Sequence, residues 1–179
     1  MYYKTSYDSP IGRITIACDG DNIIGVWNEN QKYHGDSIYT DMEENNDMPV
    51  FALIKKWLDR YFVGGEPAIS ELTIAPIGSQ FRQDVWNILC EIPYGEIVTY
   101  GDIAKKIAIK RNKEGMSAQA VGGAVGHNPI SIIIPCHRVV GTGGSLTGYA
   151  GGIDKKIKLL EIEGADMTRF SIPTKGTAL

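Results

Sequence analysis

The sequence predicts an α/β N-terminal domain in residues 1–77, a small antiparallel sheet plus one helix, followed by a mainly α, winged helix-turn-helix-like domain in residues 78–179. Apolar and polar residues alternate in strand fashion near the N-terminus, whereas apolar residues recur at helical spacing in the second part. Residues 64–78 contain two prolines and three glycines and separate the two patterns, so we place the domain boundary near Ile77.

Three strands are predicted in the N-terminal domain. Side chains alternate between two faces over residues 3–7, and the alternation resumes over residues 11–17 after the Ser9-Pro10 turn. Gly20-Asp21 marks a second turn, and residues 23–27 form a third, apolar strand. Short connections between consecutive strands favour antiparallel pairing.

The rest of the N-terminal domain contains a loop, one helix and a short strand. Residues 28–48 are polar and acidic, which is typical of a loop. A helix is predicted over residues 49–63, where Gly64-Gly65 ends it, and a short strand around residues 72–74. The helix carries apolar residues on one face: Phe51, Leu53, Ile54, Trp57, Leu58, Tyr61 and Phe62.

Helix caps mark the elements of the second domain. Ser79 is a typical N-cap for a helix that Pro93-Tyr94-Gly95 ends. Thr99 and Asp102 form a capping-box pattern, with Asp in place of the usual Glu, at the start of a short helix. Ser117 caps a third helix, over residues 118–126, that is rich in Gly and Ala.

Two short helices joined by a turn resemble a helix-turn-helix. The connector between them carries Lys110, Arg111 and Lys113. The small side chains of the following helix would let its backbone approach another surface closely, or would let it pack tightly against its own core. The sequence leaves both possibilities open.

The composition is that of an ordinary soluble globular protein, with 43% hydrophobic and 22% charged residues among 179. No apolar run is long enough to cross a membrane and no signal peptide is recognisable, so we expect a cytoplasmic protein without membrane contact. The three cysteines are far apart and form no Cys-x-x-Cys pair, which argues against a disulfide framework and a zinc cluster. We expect neither a metal nor a cofactor.

Charge is distributed unevenly along the chain. Residues 1–78 carry 6 basic and 12 acidic side chains, a net charge of −6, whereas residues 79–179 carry 12 and 9, a net charge of +3. A polyanion would therefore bind to the second domain, although a charge of +3 also fits a domain without such a partner.

Residues 132–134 are three isoleucines, and we interpret this β-branched run as a buried strand. Pro135 cannot donate to a central ladder, so the strand should end there. Cys136 and His137 then lie where the strand breaks, and their side chains meet only if the backbone turns. A buried thiol is inert unless its thiolate is favoured, so a structural cysteine is the alternative interpretation.

The other cysteines and histidines suit structural roles. Cys18 ends a predicted strand and Cys90 lies in a predicted helix, so both are interpreted as small core residues. His34 lies in the acidic loop, where we expect it to be solvated. His127 lies at a helix end, where an imidazole is favoured electrostatically.

The Pro-Cys-His-Arg-Val segment, residues 135–139, resembles the active-site signature of the O6-alkylguanine-DNA alkyltransferases, also called methylated-DNA–protein-cysteine methyltransferases. The resemblance covers residues 79–170 closely, and the N-terminal domain fits it in outline. Further motifs match in order and spacing: Tyr94-Gly95-Glu96, Thr99-Tyr100, residues 120–124, Asn128-Pro129, residues 147–152, residues 158–161 and Glu163-Gly164.

The resemblance implies a stoichiometric DNA repair reaction in which Cys136 takes the alkyl group from O6-alkylguanine, and also from O4-alkylthymine. It implies that His137 relays the thiol proton through a water and that Glu163 orients the imidazole. Without it, Glu163 would be interpreted as a solvated carboxylate near a helix end. Tyr100 matches the tyrosine that contacts N3 of the flipped base, and Asn128 matches a side chain that braces the active-site turns.

The substrate-binding residues follow from the same resemblance. Tyr149 and the Ala150 amide correspond to a lid over the base, and the carbonyl groups of Val139 and of the signature cysteine to acceptors for its exocyclic amine. Arg138 of the signature is also predicted to bind the substrate. Ser131 occupies a position where some members have a proline that packs against bulky alkyl groups.

Members of the family bind double-stranded DNA through the minor groove and flip the target base out of the helix, and we expect a monomer that does the same. Two departures concern this contact. Gln119 replaces the arginine that usually fills the gap left by the base, and the connector over residues 110–117 is longer than expected. Its three basic residues are candidates for compensating phosphate contacts.

Three other functions must be distinguished from this one. A lesion sensor of the alkyltransferase-like kind lacks the cysteine, so Cys136 argues against that class. A cysteine hydrolase needs an oxyanion hole and turns over repeatedly, and a winged-helix regulator has no use for the signature. A methyl adduct on Cys136 after a single turnover would separate the alkyltransferase from all three.

Overall fold

The computed structural model describes residues 1–38 and 40–173. The N-terminal part forms one four-stranded sheet with the spatial order β3-β2-β1-β4. The three predicted strands are confirmed, and they pair antiparallel through short turns. The strands are β1 (Tyr2–Ser9), β2 (Gly12–Cys18), β3 (Ile23–Asn28) and β4 (Met42–Glu44).

Strand β4 lies in the segment predicted to be a loop. It pairs parallel to β1, so the sheet is mixed rather than purely antiparallel. Three residues are too few to show an alternating pattern, which is why the sequence does not reveal this strand. Met42 packs against a small buried cluster that contains Ile24 and Trp27, and this contact holds β4 beside the sheet.

Helix α1 (Pro49–Phe62) contacts the sheet and buries most of the apolar face that its spacing predicts, but Leu53 of that face is 58% exposed. The predicted strand over residues 72–74 is wrong. Only Ile74 forms a bridge, with Ile23, and Pro76 has no N–H with which the pairing could continue.

The second part contains the predicted helices. Ser79, Thr99 and Ser117 each accept a backbone N–H from the first turn of the helix that follows, so the three predicted N-caps are confirmed. Across residues 1–38 and 40–173, no helix is long and apolar enough to cross a membrane. The elements are α2 (Gln80–Cys90), β5 (Val98–Thr99), α3 (Tyr100–Lys110), α4 (Ala118–Gly126), β6 (Val139–Val140) and α5 (Ile153–Ile162).

The two parts of the chain share a hydrophobic core. One cluster of buried side chains includes Phe51 of α1, Trp86 of α2 and Ile133. Backbone hydrogen bonds also join the parts, since the Val26 N–H donates to the Pro129 carbonyl at 2.8 Å. This bond seats the segment before the signature against β3. The division of the chain into two domains stays a prediction.

The predicted strand over residues 132–134 is wrong, although the run is buried as expected. The chain turns tightly here, and the Ile134 N–H donates to the Ile130 carbonyl at 3.0 Å. Asn128 holds the turn, because its side chain accepts from the Ile130 N–H at 3.0 Å and donates to the Ile134 carbonyl at 2.8 Å. Ile132 has a φ of +74°, a strained value for a β-branched residue that the surrounding packing maintains.

Candidate active site

The signature residues Cys136, His137 and Arg138 form one turn of 3-10 helix immediately before β6. The Arg138 N–H closes the turn by donating to the Pro135 carbonyl at 3.0 Å. All three side chains are buried, and Cys136 is only 6% exposed. The backbone therefore turns where the sequence requires it, and the cysteine and the histidine share one buried turn.

Cys136 is a protonated thiol at neutral pH. Burial raises the pKa of its thiol, whereas a hydrogen bond with Asn128 and the charge of Lys156 oppose that effect without overcoming it. A protonated thiol is a poor nucleophile, so chemistry at this sulfur requires a base that removes the proton.

His137 has the geometry of such a base. Its Nε2 lies 2.6 Å from Glu163 Oε1, and both side chains are fully buried. Burial lowers the pKa of the imidazole more than the carboxylate raises it, so the ring is neutral and donates from Nε2. The lone pair then lies on Nδ1, which is buried and has no hydrogen-bond partner within the described residues.

Glu163 directly follows α5 and is only 5% exposed, which excludes a solvated carboxylate. Besides His137, its Oε1 accepts from the Tyr61 hydroxyl at 2.7 Å and from Arg138 Nη2 at 3.0 Å. Its Oε2 accepts from Arg138 Nε at 2.8 Å and from the Gly95 N–H at 3.1 Å. Burial alone would raise the pKa of the carboxyl, but His137 and Arg138 together outweigh it and lower that pKa. The group is an ionised carboxylate that accepts five hydrogen bonds.

Arg138 is bound entirely to the protein interior. In addition to Glu163, its guanidinium donates to the Ile92 carbonyl at 2.6 Å and lies 5.7 Å from the centroid of the Tyr94 ring. The structure therefore places the Arg138 side chain with the carboxylate and not with the other residues predicted to bind substrate.

A cleft of about 240 Å³ runs along helix α4. Gly122, Gly123 and Gly126 line one wall of it, while Val121 and Val125 are buried in the core. The helix thus uses both possibilities that its composition allows, since one face packs against the core and the other exposes backbone to the cleft.

The loop before α5 forms the opposite wall and contains Tyr149 and Ala150. The Tyr149 hydroxyl accepts from Asn28 Nδ2 at 3.3 Å, and Ser131 Oγ donates to Gln31 Oε1 at 3.0 Å. Asn28 and Gln31 belong to the N-terminal part, so that part supports the wall of the cleft. The sequence contains no motif that indicates this contact.

Tyr100 lies at the start of α3 and reaches the same loop. Its hydroxyl donates to the Thr147 carbonyl at 3.0 Å. Gly148 has a φ of +72°, and a Cβ there would lie 2.8 Å from the Tyr100 oxygen, so only glycine permits this approach. Burial and the proximity of Cys136 raise the pKa of Tyr100 to about 12, which keeps the hydroxyl a donor.

Lys156 is a fully buried member of the site that sequence reasoning missed. Its ammonium donates to the carbonyls of Val139 at 2.5 Å and Thr147 at 2.8 Å, and burial lowers its pKa to about 8. Helical spacing offers a signal, because Lys156 shares the buried face of α5 with Leu159 and Leu160. A lysine on a buried face needs polar partners, and here they are backbone carbonyls next to the signature.

The connector residues differ in their surroundings. Lys110 Nζ and Arg111 Nη2 lie 3.0 and 2.8 Å from the Asp84 carboxylate, so both pair with a residue of α2. Lys113 and Gln119 are exposed. Of the three cations, Lys113 has no salt bridge within the described residues, and phosphate contact by this segment stays a prediction.

The other cysteines and histidines lie outside the signature turn. Cys18 is fully buried in β2, and burial raises the pKa of Cys90, at the end of α2, to about 11. His34 is exposed, and His127 Nδ1 lies 2.7 Å from the Gly123 carbonyl at the end of α4. Within the described residues, no group of three or more His, Cys, Asp or Glu side chains is placed to hold a metal ion.

Comparisons with known proteins identify the family of this chain. Residues 80–165 match the family model described as 6-O-methylguanine DNA methyltransferase, DNA binding domain, and residues 1–76 match its ribonuclease-like domain. The methylated-DNA–protein-cysteine methyltransferase of Haemophilus influenzae is 41% identical over 161 residues, which cover 90% of this chain and 86% of that protein. Its namesake from Methanosarcina acetivorans is 41% identical over 167 residues, which cover 92% and 99%.

Solved structures of proteins from the same family resemble this chain. The structure of Mycobacterium tuberculosis OGT in complex with DNA has a TM-score of 0.76 and 39% sequence identity, with 94% of each chain covered. The O6-methylguanine-DNA methyltransferase of Pyrococcus kodakaraensis, with a TM-score of 0.62 at 23% identity, shares the fold. The resemblance inferred from the signature is confirmed, and the chain belongs to the 6-O-methylguanine DNA methyltransferase family.

Proposed function

We propose that this chain repairs DNA by transferring the alkyl group of O6-alkylguanine to its own Cys136, and that each molecule reacts once. The reaction class is that of the family, whose curated relatives are named for methyl transfer from DNA to a protein cysteine. The observation that carries the assignment of the acceptor is the buried Cys136 thiol on one turn with His137, whose neutral ring is held by Glu163.

The Cys136 sulfur attacks the alkyl carbon in line with the bond to O6. A sulfur–carbon bond forms as the carbon–oxygen bond breaks, and the bonding electrons leave with the guanine. The thiol proton passes through a water to His137 Nδ1 and from there to solvent, and the departing guanine anion takes one proton from water, so thiol plus alkylguanine gives thioether plus guanine. Tyr100 supports the developing anion by turning its one hydroxyl proton from the Thr147 carbonyl to N3 of the guanine. The thioether product has no leaving group that water could displace, which limits each molecule to one turnover.

The reacting oxygen is inaccessible in a duplex, so the base must be extruded at a cost of a few kcal/mol. We place the flipped base in the cleft between the glycine face of α4 and the loop before α5. The small residues of α4 let its backbone approach double-stranded DNA from the minor groove, where contacts are mainly to backbone and shape. The protein acts as a monomer, in the cytoplasm, where a reducing environment keeps Cys136 a free thiol.

The remaining site residues position the base. Tyr149 and the Ala150 amide cover it, while the Val139 carbonyl accepts from its exocyclic amine with the lone pair that Lys156 leaves free. Ser131 lies beside the alkyl group, and O4-alkylthymine reacts by the same displacement. Arg138 acts through Glu163 and does not contact the base.

Intact mass measurement after incubation with a methylated duplex tests this proposal. The expected result is one methyl group per protein, mapped to the peptide that contains Cys136, with no further demethylation after one equivalent. A lesion sensor would show binding without an adduct, and a hydrolase would turn over without retaining the methyl group.

Gln119→Arg is expected to accelerate repair of duplex DNA by roughly fivefold, which corresponds to about 1 kcal/mol of added stacking in the gap left by the base. A guanidinium stacks and hydrogen-bonds at once, whereas an amide stacks less well. Single-turnover rates on a methylated duplex measure the effect, and the rate with free O6-methylguanine base serves as the control because no gap forms there. A slower duplex reaction would show that this chain fills the gap in another way.

Lys113→Ala is expected to reduce the salt dependence of duplex binding by about one unit of log-log slope, because one phosphate contact is lost. Lys110 and Arg111 are unsuitable for this test, since both pair with Asp84. Binding titrations over a range of salt concentrations give the slope, and Lys56→Ala, at an exposed position of α1, is the matched control. Equal slopes in the two variants would remove Lys113 from the DNA interface.

A further inference from the structure

The hydroxyl of Tyr61 reaches the carboxylate of the candidate active site from the N-terminal part of the chain. Tyr61 lies near the end of α1 and is only 1% exposed. Its oxygen is 2.7 Å from Glu163 Oε1 and 3.4 Å from His137 Nε2. Its spacing in the sequence predicts only a residue on the apolar face of α1. That position accounts for the burial of the aromatic ring but not for the presence of the hydroxyl group.

We propose that Tyr61 is a positioning residue for alkyl transfer, and that its hydroxyl holds Glu163 in the orientation in which Oε1 accepts from His137 Nε2. The inference rests on the function proposed above. It gives the N-terminal part a direct role in orienting His137, the proton acceptor, in addition to its contribution to the common core.

The Tyr61 ring is fixed on several sides, so its hydroxyl is preorganised. It stacks on Trp57 with centroids 5.6 Å apart and planes within 7°. It also makes edge contacts with Phe62 at 5.3 Å and with Tyr94 at 6.1 Å. A rigid donor at one carboxylate oxygen limits rotation of the Glu163 side chain, and placement of this kind is what an active site requires of the groups around its base.

A neighbouring tyrosine shows what a purely structural hydroxyl does in the same core. The Tyr94 hydroxyl donates to the backbone carbonyl of Ile162 at 3.1 Å. That bond is partly buried and involves no ionised side chain. The Tyr61 hydroxyl instead joins the carboxylate oxygen that binds the imidazole, so its removal changes the surroundings of His137 directly.

The hydroxyl also changes the electrostatics of the imidazole. Burial and the adjacent Glu163 raise the pKa of Tyr61 well above its usual value, so the phenol remains a donor throughout the range in which histidine titrates. Donation to Oε1 withdraws negative charge from the bond to His137. Without the hydroxyl, more of that charge would act on the imidazole and its pKa would rise. The charged and titratable groups around the imidazole are Tyr61, Cys136, Arg138, Lys156 and Glu163.

The test compares Tyr61→Phe with Tyr94→Phe, since each variant loses one tyrosine hydroxyl of the same core and keeps the ring. Single-turnover methyl transfer is measured across the pH range in which histidine titrates. Tyr61→Phe is expected to slow transfer by roughly three- to thirtyfold at neutral pH and to move the acidic limb of the profile to higher pH. Tyr94→Phe is expected to have the same transfer rate and the same acidic limb of the pH profile as the unmodified protein.

A second measurement does not depend on turnover. The Nε2–H proton of His137, observed by NMR, is expected to shift in Tyr61→Phe and to keep its position in Tyr94→Phe. The positioning role is wrong if the two variants have the same transfer rate, the same acidic limb of the pH profile and the same His137 Nε2–H resonance. The proposed function still stands in that case, provided that the unmodified protein methylates Cys136. If the unmodified protein forms no adduct, the proposed function itself fails.

Discussion

Replacing Cys136 with alanine is expected to abolish methyl transfer completely and to leave binding of methylated duplex DNA unchanged. The loss is complete because the variant lacks the nucleophile, whereas the cleft proposed for the base is lined by other residues. The turn should survive, since its bonds belong to the backbone. The Cys136 N–H donates to the Ile134 carbonyl at 2.8 Å, and alanine retains that bond.

The other two cysteines provide the controls for this experiment. Cys18→Ala and Cys90→Ala are expected to accept the methyl group at the normal rate, because both variants keep Cys136 on one turn with His137, whose ring Glu163 holds. Intact mass reports the adduct, and a gel-shift titration with a methylated duplex reports binding. Transfer that persists in Cys136→Ala would refute the mechanism, and loss of binding would show that the thiol also shapes the cleft.

Local signals account for the parts of the fold that the sequence predicts well. Strands β1 and β2 alternate, β3 is a continuous buried run that follows a turn, and the caps Ser79, Thr99 and Ser117 act on N–H groups within the next turn. The signature was recognisable for the same reason, because its residues are contiguous. Patterns of this kind need no knowledge of what lies opposite in space.

The failures share the opposite property. The β-branched residues of the isoleucine run predict a strand, but the Asn128 side chain satisfies the backbone of this segment and a turn results. Tyr61 and Asn28 reach the site from 102 and 121 residues away, respectively, from their partners Glu163 and Tyr149. Sequence spacing carries no information about such contacts, so the support that the N-terminal part gives the site is visible only in the folded chain.

Glu163→Gln is expected to slow single-turnover transfer by roughly ten- to a thousandfold without removing the nucleophile. Five hydrogen bonds converge on the two oxygens of the carboxylate. An amide has one oxygen and one NH2 group, so in either orientation its NH2 faces donors, either His137 and Tyr61 or Arg138 and Gly95. The imidazole loses its fixed orientation, and the charge that favours its protonation disappears.

Glu161→Gln is the matched control, because this exposed carboxylate lies two residues earlier and only approaches Lys158, at 3.9 Å. Its transfer rate is expected to equal that of the unmodified protein. Thermal unfolding and affinity for methylated DNA separate a slower reaction from a loss of folded protein. A normal single-turnover rate in a folded Glu163→Gln variant would make the carboxylate purely structural.

The pH profile of Glu163→Gln discriminates further. The ionised carboxylate raises the pKa of His137 against the effect of burial, so the neutral amide lets that pKa fall. The proton-accepting form of the ring then persists to lower pH, so the acidic limb of the profile moves to lower pH. The plateau rate drops as well, because His137 is a weaker base. Tyr61→Phe is expected to move the same limb to higher pH. A general loosening of the core would lower both rates without displacing the limb in opposite directions, so this pair of shifts would identify electrostatic control of one imidazole by the contacts on Glu163.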